Sequence, residues 1–237
     1  MRTLLLAALL LTACPTAEEP PPEFVARATR VAFDPGSDAF WDLAFPSDLR
    51  LQDDGTWNLE DWPNGDADAL VSKWLRAADR RLVGGWGLSG GVVVPFGGPI
   101  DDASLPADGA PTLQEDATVF LLNVDPASPE RGERMPLRVR FSSIQTEFTP
   151  PDLLTAMPVW GFVRRPDTQY ALVLTDGLRD RGGEPVGRSR AFHAAFEAID
   201  GADAAAAEDF AVLRATLVAE GFDPDRVVGA TVFTTLD

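Results

Sequence analysis

The stretch YALVLTDGLRDRGGEP, residues 170–185, decides the fold of this chain. In an extended strand, Tyr170, Leu172 and Leu174 share one face, and the residues between them share the other. Asp180 and the glycines that follow it supply the residue types that a tight hairpin turn requires. The stretch therefore predicts a β-strand that leads into a hairpin turn.

Five further segments have the composition of β-strands. They are residues 28–33, 92–96, 117–124, 137–141 and 227–235. Turn-forming glycine, proline and aspartate residues bound most of these segments. Because short strands with irregular linkers favour antiparallel pairing, we expect a mainly β fold, an antiparallel β-sandwich.

Three segments carry apolar residues at helical spacing, and we expect them to form peripheral α-helices. Residues 203–220 end at Gly221, and a shorter helix is expected over residues 189–199. Residues 66–83 end at a glycine pair and carry an apolar stripe, on which we expect Trp74 to be a core residue. That stripe consists of Leu70, Val71, Trp74, Leu75, Ala78 and Leu82.

The N-terminus reads MRTLLLAALLLTAC, in which Arg2 precedes an apolar run. The run is too short to span a bilayer and is typical of a secretory signal. Its last four residues match the lipobox of bacterial lipoproteins, which implies cleavage before Cys14 and acylation of that residue. We expect residues 1–13 to be a lipoprotein signal peptide; the alternative is a buried cysteine in an ordinary signal core.

Residues 14–23 form a proline-rich, charged tether that cannot build a core. Cys14 is the only cysteine, so no intramolecular disulfide forms. We expect the chain to bind the membrane through the acyl groups on Cys14. The expected location is the bacterial cell envelope, at the outer membrane or cell surface rather than the inner membrane.

The formal net charge of −17 argues against nucleic acid as a partner, because nucleic-acid binding requires a basic face. One cysteine and one histidine leave no zinc motif, and we expect no cofactor. The acidic residues 52–68 keep an irregular calcium site open as an alternative. They fail the EF-hand pattern, because a loop started at Asn64 puts Leu75 at its twelfth position.

Residues 87–91, GLSGG, match the G-x-S-x-G motif of α/β-hydrolases. A nucleophile elbow requires a strand before the serine and a helix after it, and here the expected order is reversed. Ser89 is therefore expected in a loop that enters a strand. His193 is the only histidine, so a serine hydrolase that uses Ser89 would need His193 as its base. The sequence surroundings of both residues argue against such a pair. We therefore expect no catalytic residue in this chain.

Tryptophans beside loops are the remaining candidates for ligand binding. Six residues, Trp41, Trp57, Trp62, Trp74, Trp86 and Trp160, have rings large enough to line a sugar or lipid groove. Among them, Trp57, Trp62 and Trp86 flank loops, and we expect these three to be the ligand-binding ones. The alternative is that these rings pack in the core.

Two stretches together resemble a bacterial Ig-like domain of the S-layer type: residues 94–105, VPFGGPIDDASL, and the opening stretch. The resemblance implies an Ig-like form of the sandwich. Residues 45–49, FPSDL, with FDP at 222–224 and ATVFTT at 230–235, resemble the N-terminal region of bacterial virulence-factor lipases. Those lipoproteins carry such a region ahead of an α/β-hydrolase domain, and none of the family's catalytic residues maps onto this sequence.

After the signal peptide and the tether, we expect residues 24–199 to form a β-rich Ig-like domain that contains an inserted helix. We expect residues 200–237 to form a helix and a strand that lead toward a C-terminal hydrolase domain absent from this sequence. The expected function is a non-catalytic, membrane-anchored module of a lipase-like protein, with that hydrolase domain or envelope components as partners. The alternative is a stand-alone envelope lipoprotein that binds or supports other components.

Overall fold

The computed structural model describes residues 21–59, 62–63, 70–78 and 84–237. Within these ranges, the strands are β1 (Val92–Pro95), β2 (Val119–Asn123), β3 (Arg134–Met135), β4 (Leu137–Ser142), β5 (Leu153–Pro158), β6 (Gln169–Thr175) and β7 (Val227–Thr234). The α-helices are α1 (Leu70–Ala78), α2 (Arg190–Phe196) and α3 (Ala204–Ala219). Short 3-10 helices span Phe40–Asp42, Asp48–Arg50, Asp102–Ser104, Ala110–Leu113 and Pro224–Arg226.

The strands form two antiparallel sheets, with the orders β1-β5-β4 and β3-β2-β6-β7. The chain passes from the larger sheet to the smaller one at Pro136, which separates β3 from β4. Proline has no backbone N–H to donate, so a ladder is readily interrupted at this residue. The expected mainly β fold, a β-sandwich with peripheral helices, is confirmed.

The four-stranded sheet is the middle of three layers, and both of its faces are buried. On β6, Tyr170, Leu172 and Leu174 belong to the core shared with the three-stranded sheet. Ala171 and Val173 belong to a second core shared with α2 and α3. Burying one such leucine contributes about 2 kcal/mol. The apolar run in the opening stretch is continuous because protein covers both sides of the strand.

The helices α2 and α3 confirm two of the predicted helical segments. Ser189 Oγ accepts a hydrogen bond from Phe192 N at 3.1 Å, and Asp203 Oδ1 accepts one from Ala206 N at 2.9 Å, so both helices have side-chain N-caps. Gly221, with φ of 73°, follows the end of α3 in the left-handed conformation that favours glycine. The residues after 199 thus supply α3 and β7, which pack with α2 and β6 in the same unit.

The described helix α1 lies within the third predicted segment, but its apolar stripe does not pack in the core. Trp74 is 65% exposed and Leu70 is 62% exposed, whereas Ser72 is buried. The prediction that Trp74 is a core residue is therefore wrong. The stripe shows that the helix is amphipathic, but the two cores are already filled by the sheets and by α2 and α3.

Two strands were not expected from the sequence, and one expected strand is reduced to isolated bridges. The strand β5 lies in the centre of its sheet although its sequence, LLTAMP, has no clear alternation. In the segment 28–33, Arg30 bridges Gly187 and Val31 bridges Phe96. None of the helices in the described ranges has the length and apolar composition of a membrane span.

The chain enters and leaves the sandwich at opposite ends. We call the end where β6 finishes and β7 begins the entry end, because residues 22–27 lie there beside Arg188 and Val228. The other is the exit end, where the carbonyl of Leu236 accepts a hydrogen bond from Asp167 N at 3.1 Å. A strand as long as β7 places these ends roughly 25 Å apart.

Candidate functional site

The predicted ligand residue Trp86 lies at the edge of the larger sheet and is 1% exposed. Its backbone N–H donates to Thr234 O at 2.8 Å, and its Nε1 donates to Asp48 Oδ1 at 3.0 Å. The Asp48 carboxylate also accepts from Thr234 N at 2.8 Å and from Thr234 Oγ1 at 2.7 Å. Burial raises the pKa of Asp48, although these hydrogen bonds oppose the rise. The FPSDL and ATVFTT stretches, distant in sequence, therefore meet at this edge.

The other two predicted ligand residues belong to the same aromatic cluster. The rings of Trp57 and Trp86 have centroids 4.4 Å apart, and Trp57 Nε1 donates to Gly85 O at 3.0 Å. The Trp62 ring lies 4.5 Å from Phe40 and 5.5 Å from Phe45. The ring of Trp86 is covered by protein and offers no surface to a ligand. Ligand contact by the half-buried Trp57 and Trp62 stays a prediction.

Trp41, one of the six tryptophans that the sequence offered for a sugar or lipid groove, links this cluster to a groove whose other lining residues the sequence did not indicate. Its ring makes an edge-on contact with Phe40, with centroids 4.9 Å apart, and its Nε1 donates to Phe148 O at 3.1 Å. The groove beside it has a volume of about 780 Å³. We define the Trp41 groove by six of its lining residues: Trp41, Phe96, Arg30, Asp34, Asp42 and Arg190.

The polar residues of the Trp41 groove come from distant parts of the sequence. Arg30 and Asp34 precede β1, whereas Arg190 begins α2. Asp34 Oδ1 accepts from Gly36 N at 3.1 Å, and Asp42 Oδ2 accepts from Ser37 Oγ at 2.5 Å. No sequence motif marks such a set, because only the packing of α2 against the strand segments brings its members together.

Ser89 lies exposed in a turn before β1, as its sequence context predicts. The carbonyls of this loop converge on Arg164, which is 2% exposed. Arg164 Nη2 donates to Gly87 O at 2.9 Å and to Gly90 O at 2.5 Å, and its Nε donates to Leu88 O at 3.0 Å. Burial lowers the pKa of Arg164 to about 10. The loop thus turns acceptors inward, whereas an oxyanion hole requires converging N–H donors.

His193 lies on α2 at the entry end, where it is buried. Its ring centroid is 5.4 Å from that of Phe24, and its Nδ1 is 3.4 Å from Arg188 Nη1. Burial, and then the charge of Arg188, lower the pKa of His193. It borders a cavity of about 320 Å³ whose walls do not include Ser89. The structure therefore places Ser89 and His193 in separate surroundings at opposite ends of the sandwich.

The remaining candidates of the sequence fall partly outside the described residues. Cys14, Asn64 and four acidic residues of the 52–68 stretch, Glu60, Asp61, Asp66 and Asp68, lie there. In the described part of that stretch, Asp54 Oδ1 accepts from Thr56 N at 3.0 Å and from Thr56 Oγ1 at 2.6 Å, which lowers the pKa of Asp54. Among the residues that the structure describes, no three His, Cys, Asp or Glu side chains are grouped to hold a metal ion.

No known protein-family model matches this chain, and no curated protein matches it. Two solved structures of the bacterial S-layer protein SbsC show a distant likeness. The N-terminal part of SbsC is 15% identical with a TM-score of 0.26, over 50% of this chain and 25% of that one. A structure of SbsC domains 1–6 is 14% identical with a TM-score of 0.25, over 48% of this chain and 14% of that one. The likeness spans about half of this chain and a quarter or less of the SbsC chains.

Proposed function

We propose that this chain is a lipid-anchored module of the bacterial cell envelope whose β-sandwich has a non-catalytic role. The observation that carries the proposal is the sequence Leu11-Thr12-Ala13-Cys14, which follows an apolar run and precedes a proline-rich tether. In the folded structure, residues 22–27, which include the last residues of the tether, lie at the entry end of the sandwich. Acylated Cys14 then holds that end toward the membrane, at the cell surface or outer membrane.

The physical argument rests on the acyl chains and on the length of the tether. Each buried CH₂ group contributes about 0.8 kcal/mol, and stable anchoring requires two signals, such as two acyl chains. The residues from Cys14 to Glu23 reach at most roughly 35 Å when extended. The sandwich therefore stands within one domain length of the bilayer.

Detergent partitioning and mass spectrometry of the mature protein in a bacterial host test the anchor. We expect the wild-type chain to enter the detergent phase, with a mass that shows cleavage before Cys14 and added acyl groups. The Cys14→Ser variant is expected to carry no acyl groups. A mature wild-type protein without added acyl mass contradicts the proposal.

A second form of this function, the N-terminal module of a lipase-like protein, is favoured by one apolar surface. Trp160 is 77% exposed, and Phe162 and Val163 are more than half exposed. They lie in the β5–β6 connection, whose Asp167 binds Leu236. A polypeptide that continued beyond Asp237 would emerge beside this surface, and exposed apolar clusters mark contact sites.

The gene sequence downstream of codon 237 tests this second form. We expect it to encode an α/β-hydrolase domain with a G-x-S-x-G motif between a strand and a helix. A natural stop codon with no hydrolase behind it contradicts the lipase-like form. It leaves the stand-alone envelope lipoprotein as the function.

A further inference from the structure

We propose that the Trp41 groove binds a neutral oligosaccharide. The inference deepens the proposed function by naming a ligand class for an envelope module, and it rests on that function for its biological setting. The binding itself depends only on the folded sandwich, because every residue that defines the groove belongs to the described ranges.

The apolar part of the argument is the fixed ring of Trp41. The edge-on contact with Phe40 and the hydrogen bond from Nε1 to Phe148 O hold the ring from two sides. An indole that is already held in place loses little conformational freedom when a ligand covers it. A pyranose ring presents a flat face of C–H groups, which is the complement of an aromatic face. Half-buried at the groove wall, Trp41 therefore offers a stacking surface.

The polar part of the argument is the balance of charge around that ring. Arg30 and Arg190 contribute two cations, and Asp34 and Asp42 contribute two carboxylates. The wall has no formal net charge, so it favours neither an anion nor a cation. It does offer guanidinium donors and carboxylate acceptors together, which is the combination that vicinal hydroxyl groups require.

The groove side chains are also positioned before a ligand arrives. Asp42 accepts from Ser37 Oγ, and Asp34 accepts from Gly36 N, so both carboxylates are oriented by local hydrogen bonds. The Arg190 guanidinium lies over the Phe24 ring, 4.6 Å from its centroid. The volume of about 780 Å³ falls within the range of about 300–1,000 Å³ that is typical of ligand sites.

Isothermal titration tests the inference on the chain from residue 15 onward, which retains both cores. The probes are maltotetraose, cellotetraose and N-acetylchitotetraose, with tetragalacturonate as the anionic comparison. We expect at least one neutral tetrasaccharide to bind with a Kd of about 1 mM or tighter, equivalent to about −4 kcal/mol. Trp41→Ala is expected to weaken that binding at least about tenfold, or about 1.4 kcal/mol.

Two further variants keep the test informative if Trp41→Ala unfolds the loop. Trp41→Phe retains an aromatic ring and is expected to keep measurable binding, whereas Arg30→Ala, at an exposed position, is expected to weaken it. Trp74→Ala is the matched control, because it removes an exposed indole outside the groove and is expected to change nothing. The inference is overturned if none of the neutral tetrasaccharides binds, or if tetragalacturonate alone binds. It is also overturned if a neutral tetrasaccharide binds but Trp41→Ala and Arg30→Ala leave its affinity unchanged. If mass spectrometry finds Cys14 unacylated but the saccharide still binds, the proposed membrane anchor is contradicted and the saccharide site is not.

Discussion

At the scale of single residues, Arg164 holds the glycine-rich loop of residues 87–90 through its hydrogen bonds to the loop carbonyls. It has no carboxylate partner among the described ion pairs, and its charge is met by three backbone carbonyls and by the Phe233 ring at 5.0 Å. Its Nη1 is buried without a hydrogen-bond partner. The guanidinium is therefore retained at a desolvation cost, which its contacts with the loop offset.

We predict that Arg164→Met lowers the free energy of unfolding by about 1–3 kcal/mol, because hydrogen bonds from a charged donor are lost. Arg165→Met is the neighbouring control, since Arg165 pairs with Glu130 at the surface and such pairs contribute about 0–1 kcal/mol. Urea unfolding of both variants measures the difference. Equal unfolding midpoints for the two variants would show that Arg164 does not anchor the loop.

The raised pKa of Asp209, on α3, makes the stability of the fold depend on pH. Burial, and then the negative charge of Asp48, raise the pKa of Asp209 to about 7. A carboxyl group with a raised pKa contributes most stability while it is protonated. That contribution is complete below the ordinary pKa near 4 and is lost as the pH rises through about 7.

We predict that Asp209→Asn is more stable than wild type at pH 8, by about 1–2 kcal/mol after allowance for partial solvent exposure. The advantage is expected to shrink as the pH falls and to disappear at about pH 3, below the ordinary pKa, where Asp209 is protonated in both the folded and the unfolded wild-type chain. Thermal or urea unfolding at several pH values measures it, with the exposed Asp102→Asn as the control. An advantage that does not change with pH contradicts the assignment.

At the scale of elements, the helix layer depends on aromatic packing against the larger sheet. The ring of Phe210 lies 5.5 Å from Phe33, 4.9 Å from Phe192 and 5.8 Å from Phe196. This cluster joins α3 to α2 and to the segment before β1. Its loss would uncover the second core.

We predict that Phe210→Ala lowers the free energy of unfolding by about 3–5 kcal/mol, the usual cost of a buried Phe→Ala cavity. Phe162→Ala removes the same atoms from a half-exposed position and is expected to cost less than about 1 kcal/mol. Chemical denaturation measures both variants. Similar losses for the two would mean that α3 is not packed on the sheet as described.

At the scale of the whole molecule, the net charge of −17 sets the response to salt. Like charges repel more strongly in the compact state than in the expanded one, and salt screens that repulsion. We predict that the urea midpoint rises between about 10 mM and 300 mM sodium chloride, where the Debye length falls from about 30 Å to below 10 Å. A midpoint that falls over this range would show that attractive ion pairs outweigh the repulsion.

The two ends of the sandwich differ in what they carry. The segment that follows the tether lies at the entry end, and the apolar residues Trp160, Phe162 and Val163 lie at the exit end with Leu236. Under the proposed acylation of Cys14, the entry end is the one nearer the bilayer and the apolar surface is the one farther from it. That arrangement fits a surface for a neighbouring domain better than one for lipid.

Local patterns in the sequence were enough to predict the strand at 170–175, the turn after it, the helices α2 and α3, and the position of Ser89 in a loop before a strand. These features depend on neighbours in sequence: the spacing of apolar residues, the capping residues Ser189 and Asp203, and glycines that end helices. Local patterning was sufficient because it records which positions need burial. It does not record which part of the molecule provides that burial.

Tertiary structure alone decided which residues meet. It placed Trp74 at the surface and Trp86 in the core, and it separated Ser89 from His193. It also assembled the Trp41 groove from segments on either side of β1 and from α2. These outcomes depend on contacts between residues distant in sequence, and the free energy of such contacts is set by packing geometry and burial that no short stretch of sequence contains.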